Sequence, residues 1–156
     1  MKPGHPAPPF AGGCQCGAVR YRLIAAPTGA GICHCRMCQK AGGAPFMAFT
    51  GVKAADLVFT RGTPTKYASS DLAERGFCAA CGTPLTYQIK GLNRISVTIG
   101  SLDDPALFAP GEQFGTEAIL PWFAALAALP GQRTDDWLRA AKIDDVGNHQ
   151  HPDRET

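Results

Sequence analysis

No apolar run in the sequence approaches the roughly 20 residues needed to span a bilayer. The longest candidate, Ala118 to Leu129, is broken by Pro121, so neither a membrane span nor a membrane partner is expected. The opening residues, Met1 to Pro9, carry no hydrophobic stretch of the secretory type. The expected home is therefore the cytoplasm, where thiols stay reduced. Surplus charge is also lacking: 15 basic residues face 13 acidic ones, a net of +2, too slight to draw nucleic acid or an anionic surface. No basic run is interleaved with aromatics; Lys2 stands alone and the tail offers only Arg154 nearby. Charged residues make up 18% of the chain against 45% apolar, which excludes disorder by composition and suits one domain with a real core over 156 residues.

Cysteine is what the sequence has in excess: seven, at positions 14, 16, 33, 35, 38, 78 and 81. An odd count without a signal segment argues against a disulfide framework. Cys14 and Cys16, like Cys33 and Cys35, are too close in sequence for an unstrained bridge. Short-spaced thiols suit a tetrahedral metal, since one tight turn aims two sulfurs at a point about 2.3 Å from each. The natural partition is four plus three. Cys14, Cys16, Cys78 and Cys81 would close a structural site between distant segments, and Cys33, Cys35 and Cys38 would hold a second ion with one position open, as catalytic zinc requires. Other partitions stay open: Cys33, Cys35 or Cys38 could join the 78–81 pair. A redox use of Cys78 and Cys81 would want a helix start, whereas Gly82, Thr83 and Pro84 follow as a turn. His34 lies between two proposed ligands, where adjacent side chains rarely converge on one ion; it is expected to support them from behind or to face solvent. His5, His149 and His151 fall in tails and are read as incidental.

Short strand-like runs separated by turn residues predict a mainly β domain. They are Ala18–Ile24, Phe46–Thr50, Leu57–Thr60, Pro84–Ile89 and, most clearly alternating, Arg94–Ile99. Arg36–Ala41 predicts one helical turn ended by Gly42 and Gly43. Ala118–Leu129 is expected as a short helix or an irregular strap, with Trp122 and Phe123 packed on the sheet. A last short helix should start with Thr134 as its cap and fade by Asp144.

Gly13-Cys14-Gln15-Cys16-Gly17-Ala18-Val19, Cys33-His34-Cys35-Arg36-Met37-Cys38-Gln39-Lys40 and Phe77-Cys78-Ala79-Ala80-Cys81-Gly82-Thr83-Pro84-Leu85 together resemble the GFA family. Its namesake is the glutathione-dependent formaldehyde-activating enzyme, and it includes centromere protein V. The resemblance runs from about Gly12 to Trp122 and takes in Ile99–Pro105. It implies a β-tent zinc fold of short antiparallel sheets pinned by a four-cysteine zinc, with little helix near the C-terminus. It also implies two zincs per chain: a structural one on Cys14, Cys16, Cys78 and Cys81, and a second on Cys33, Cys35 and Cys38 beside the substrate pocket. The expected organisation is a flexible arm over residues 1–11, a zinc domain over 12–130, and an extension over 131–156 with a short helix and a frayed tail. Family members often carry a histidine shortly after the proline matching Pro110. Here the stretch reads Gly111-Glu112-Gln113-Phe114, with Gln113 in its place; if that histidine shapes the pocket in relatives, the substrate here differs.

By this reading the protein is a carbon–sulfur lyase type of enzyme, in which a thiol, with glutathione the expected co-substrate, adds to formaldehyde or a related aldehyde. A thiol entering the open position loses its proton near neutral pH. Holding both reactants in one pocket can be worth roughly 7–11 kcal/mol. Arg36, Lys40 and Arg75 are the sequence candidates for glutathione's carboxylates, although each such residue is more often a solvated surface charge. The competing reading is a zinc-stabilised protein-binding module without catalysis. The three-cysteine cluster discriminates, because a scaffold needs only the closed site. Oligomeric state is not legible.

Overall fold

A computed structural model describes residues 7–154 of the chain. The first six residues of the expected arm, His5 among them, lie outside the described residues. Short runs closed by turn residues form the strands. In chain order these are β1 (Phe10–Gly13), β2 (Arg20–Leu23), β3 (Ala30–Cys33), β4 (Met47–Val52), β5 (Leu57–Arg61), β6 (Thr65–Ala68), β7 (Ala73–Phe77), β8 (Pro84–Ile89), β9 (Ile95–Thr98) and β10 (Glu112–Phe114). Helix α1 (Arg36–Gly42) follows β3, and α2 (Thr134–Ala141) lies near the C-terminus.

The protein is mainly β, with two sheets. The smaller is antiparallel in the order β1-β2-β5; the larger runs β10-β3-β4-β9-β8-β7-β6. One pairing departs from the antiparallel expectation: β10 lies parallel to β3, with Phe114 opposite Cys33. β10 arrives at the sheet edge after a long excursion and not through a hairpin, so no tight turn dictates its direction. Tyr21 and Leu23 of the small sheet and Leu85 and Val97 of the large one are fully buried, and all four belong to one apolar cluster with Phe10, Val52, Ile99 and Phe108. Burying side chains of this size contributes roughly 1.5–3 kcal/mol each. Two polar side chains taken inside are paired: the Tyr21 hydroxyl lies 2.7 Å from Ser101 Oγ, and Arg20 meets both carboxylate oxygens of Asp103.

β1 begins inside the stretch expected as a loose arm, because Phe10 is buried edge-on against Phe108. α1 ends as expected, with Gly43 in the left-handed conformation at φ 59°. Residues Phe123–Ala128 form 3-10 turns. Of the two aromatics expected to pack, Phe123 sets its ring edge-on to His34 and Phe46, while Trp122 stays half-exposed. Thr134 is the first helical residue of α2, not its cap; Arg133 precedes it and no side chain caps the end. Asp135 and Asp136 occupy the first turn, at the positive end of the helix. Near the chain's end, where fraying is expected, His151 N donates to Gln15 O at 2.6 Å, laying the tail across the loop between β1 and β2.

Candidate metal centres

The β1–β2 and β7–β8 connections are tight turns, each carrying two cysteines followed by a glycine. Gly17 N donates to Cys14 O and Gly82 N to Cys78 O, and the glycines take φ of 75° and 77°. An L side chain is strained at such angles, which explains a glycine after each pair. The turns face each other, and the Sγ atoms of Cys14, Cys16, Cys78 and Cys81 all lie within 4.8 Å of one another. Cys14 and Cys16 are 3.6 Å apart and Cys16 and Cys78 3.8 Å. Four sulfurs at about 2.3 Å from a tetrahedral ion sit about 3.8 Å apart, so the cluster fits zinc. The Val19 amide donates to Cys14 Sγ at 3.2 Å, and the Thr83 hydroxyl lies 3.1 Å from Cys81 Sγ.

Without an ion the thiols compete for charge. Burial opposes ionisation of Cys81, but the Thr83 hydroxyl and the Thr83 and Cys16 amides outweigh it and bring its pKa down to about 6. The Ala18 amide favours ionised Cys16, yet its neighbours Cys81 and Cys14 push it up to about 12. Like charges packed this closely cannot all ionise unaided; a dication removes the conflict.

The second cluster grows from the end of the large sheet. Cys33 closes β3, Cys35 precedes α1 and Cys38 sits in its first turn. Their three Sγ atoms also lie within 4.8 Å of one another. Burial pushes the Cys33 thiol up to about 12. Cys35 is held below the usual thiol value: burial opposes this, and the Cys38 amide with the Cys33 and Cys38 thiols outweighs it. The sulfurs thus separate into the four and the three, and the alternative of mixing positions 33–38 with 78–81 is not the one formed. Cys78 and Cys81 lie in a hairpin turn and not at a helix start, the context that redox pairs want.

The three sulfurs open on a cavity of about 380 Å³, lined also by Phe49, Arg75, Tyr87, Arg94, Glu112 and Phe114. The tail docks beside the other cluster, through His151 N and Gln15 O, and leaves Cys16 exposed. Of the three candidate cations, Arg75 is buried against Cys38, with Nη2 3.3 Å from Sγ. Arg36 is exposed and donates to Gln39 Oε1, and Lys40 lines a neighbouring groove with Tyr67 and Thr86. Neither lines the cysteine cavity. Sequence reasoning missed Arg94, Glu112 and Phe114. The first was within reach: Arg94 and Ser96 are the alternate positions that face the cavity from the clearest alternating run.

His34 is fully buried, which overturns the solvent-facing option. Its Nε2 pairs with Gln113 Oε1 at 2.9 Å, and its backbone carbonyl accepts from Gln39 Nε2 at 2.7 Å. Because β10 alternates, Glu112 and Phe114 line the cavity while Gln113 turns to His34. The replacement at 113 therefore bears on the loop holding Cys33 and Cys35, not on the cavity wall.

Two sheets joined at a pair of cysteine turns, with a second sulfur cluster opening on a cavity, define a mainly β protein with two cysteine clusters that could hold zinc. The fold is shared with a crystal structure of a Rhodobacter sphaeroides protein, at a TM-score of 0.52 and 23% identity over 67% of this chain and 99% of that one. Residues 9–117 match the glutathione-dependent formaldehyde-activating enzyme family, and the chain belongs to it. It is also similar to an uncharacterized lyase of Schizosaccharomyces pombe, 38% identical over 80 residues, which are 51% of this chain and 58% of that protein. The match thus spans less than two thirds of the relative's length. No described helix is long and apolar enough to cross a membrane.

Proposed function

We propose that the protein is a zinc-dependent carbon–sulfur lyase acting on a thiol–aldehyde adduct, with glutathione and formaldehyde as the leading pair, in the cytoplasm. The observation that carries the reading is the three-sulfur cluster at the floor of an open cavity. Family membership and the lyase named in the yeast relative support it, and seven free thiols fit a reducing compartment. Cys14, Cys16, Cys78 and Cys81 would hold a structural zinc, and Cys33, Cys35 and Cys38 a second. Zinc held by Cys33, Cys35 and Cys38 would supply Lewis acidity that favours the thiolate form of an incoming thiol near neutral pH.

The chain's own residues bind and orient. Arg94, exposed at the cavity wall and braced by Thr28 O at 2.5 Å, offers a guanidinium to a ligand carboxylate. Glu112, on the β10 side, offers a carboxylate to an ammonium. A tripeptide thiol with two carboxylates and one ammonium matches this pairing. Phe49, Ile89 and Phe114 supply apolar walls. In the forward direction the sulfur–carbon bond forms and the thiol proton ends on the former carbonyl oxygen; the reverse breaks that bond. Thiols add to formaldehyde unaided, so the test is rate above the spontaneous reaction. Protein purified reduced, without chelator, should carry two zincs by elemental analysis and speed adduct formation and breakdown alike. Cys35→Ser should carry one zinc and leave the spontaneous rate. A chain with two zincs that neither binds thiol nor alters the rate is the binding module instead.

A further inference from the structure

Two arginines of this protein are buried and are neutralised differently. Arg20, 6% exposed, pairs with the Asp103 carboxylate at 2.8 and 2.5 Å. Arg75 is 8% exposed, and among the described residues no carboxylate pairs with it. Its Nε donates to Ser69 Oγ at 3.0 Å, Nη1 points at Met47 Sδ at 3.9 Å, and Nη2 donates to Cys38 Sγ at 3.3 Å. The guanidinium carbon also lies 4.9 Å from the centre of the Tyr87 ring. A charge withdrawn from water persists only when paired, and the one partner here that carries negative charge as a metal ligand is Cys38.

We propose that Arg75 is the fixed countercation of the Cys33–Cys35–Cys38 cluster, the residue that lets this cluster hold a dication and then accept a further anionic sulfur. The proposal rests on the metal reading above. Three thiolates around a divalent ion leave a net charge of about −1, and a bound thiolate would make it about −2. In a half-buried site that charge needs a neighbour, and the guanidinium returns it to about −1. The four-cysteine cluster is arranged otherwise: Cys16 is exposed to water, and neutral donors, the Val19 amide and the Thr83 hydroxyl, serve Cys14 and Cys81. Arg75 is thus not the carboxylate clamp expected from its sequence position. Three of its nitrogens are already turned to Ser69, Met47 and Cys38, and Arg94 is the exposed cation of the cavity.

The experiment compares the wild type with Arg75→Gln and Arg75→Lys as full-length proteins. Zinc alone is titrated against a chromophoric chelator, and the loaded proteins are then titrated with glutathione and with S-methylglutathione, whose sulfur cannot ionise. Loss of a hydrogen bond to a charged group should weaken the second zinc by about ten- to a hundredfold in Arg75→Gln, with the first zinc unchanged. The preference for thiol over thioether should fall by about tenfold as well, a change that a packing defect does not produce. Arg75→Lys, which keeps the charge but loses the planar fork stacked on Tyr87, should weaken the second zinc by less than about tenfold. A Gln variant with wild-type second-zinc affinity and thiol preference overturns the proposal, and so does a Lys variant that binds the second zinc tenfold or more weakly. Should the Gln variant fail to fold, the Lys variant decides on that same criterion. A wild type that takes up one zinc only overturns the metal reading, and Arg75's role with it.

Discussion

The backbone amide of Gln15 donates to the Thr83 hydroxyl at 3.1 Å. That hydroxyl is in turn 3.1 Å from the Cys81 sulfur, so the two cysteine turns are joined by hydrogen bonds as well as by the sulfurs they present. The joint lies where a hairpin of the small sheet meets a hairpin of the large one, and it adds to the apolar cluster that both sheets share.

Cys14→Ser and Cys81→Ser should therefore abolish soluble protein. A structural zinc is worth on the order of 10–16 kcal/mol in small peptides, comparable with a whole domain's stability of about 5–15 kcal/mol. Cys35→Ser should stay folded with one metal fewer. Circular dichroism and elemental analysis check both; a Cys35→Ser protein that fails to fold, or that keeps its full metal load, contradicts the four-plus-three division.

The two glycines that follow the cysteine pairs should respond unequally. Gly82→Ala meets nothing within 4 Å and costs only the left-handed backbone, about 1–2 kcal/mol. At Gly17 a Cβ would also fall 2.2 Å from the His151 ring, so Gly17→Ala must expel the tail too. Thermal melts should show the larger loss for Gly17→Ala, and removing residues from Asn148 onward should bring the two variants level.

Alternation along β10 separates stability from specificity. Gln113→Leu leaves His34 Nε2 without its partner and should cost about 1–3 kcal/mol, while KM for the thiol stays put. Phe114→Ala, which opens the cavity wall, should raise KM with little change in second-site zinc. Steady-state kinetics beside chemical denaturation tests the split; a Gln113→Leu effect confined to KM would contradict it.

Tyr21 sets an alkaline limit. Burial pushes its hydroxyl above the usual value of about 10, outweighing the bond to Ser101. The unfolded chain releases this proton first, so the contribution is complete below about pH 10 and is lost as pH rises through the folded value. Denaturation between about pH 9 and 11 should show wild-type stability falling by up to about 1.4 kcal/mol per pH unit from this group. Tyr21→Phe should flatten the limb. Its cost at neutral pH should be near 1 kcal/mol, because Ser101 keeps its own bond to Thr98 O. Equal alkaline slopes in the two proteins would place the limit elsewhere.

The cysteine spacing favoured the four-plus-three grouping and left other partitions open, because ligands two or three positions apart can share a point only through a tight turn, and glycines marked both turns. Strands β8 and β9 were legible for a similar reason, each burying one face against the core. β6 was not: all four of its residues are exposed, and a solvent-facing edge leaves no pattern of alternation. β10 was hidden too, three exposed residues whose only instruction is register against β3. Arg75 was singled out for its nearness to Cys78, yet β7 carries it to Cys38, a direction that sequence proximity cannot reveal.

Cys16 and Cys78 meet although they stand 62 positions apart in the chain. During synthesis at about 5–20 residues per second, the first cysteine pair leaves the ribosome about 3–12 s before its partner does. For that interval the nascent chain presents two thiols with nothing to close over them, and the order of events at birth, metal first or partner first, becomes part of how this fold is reached.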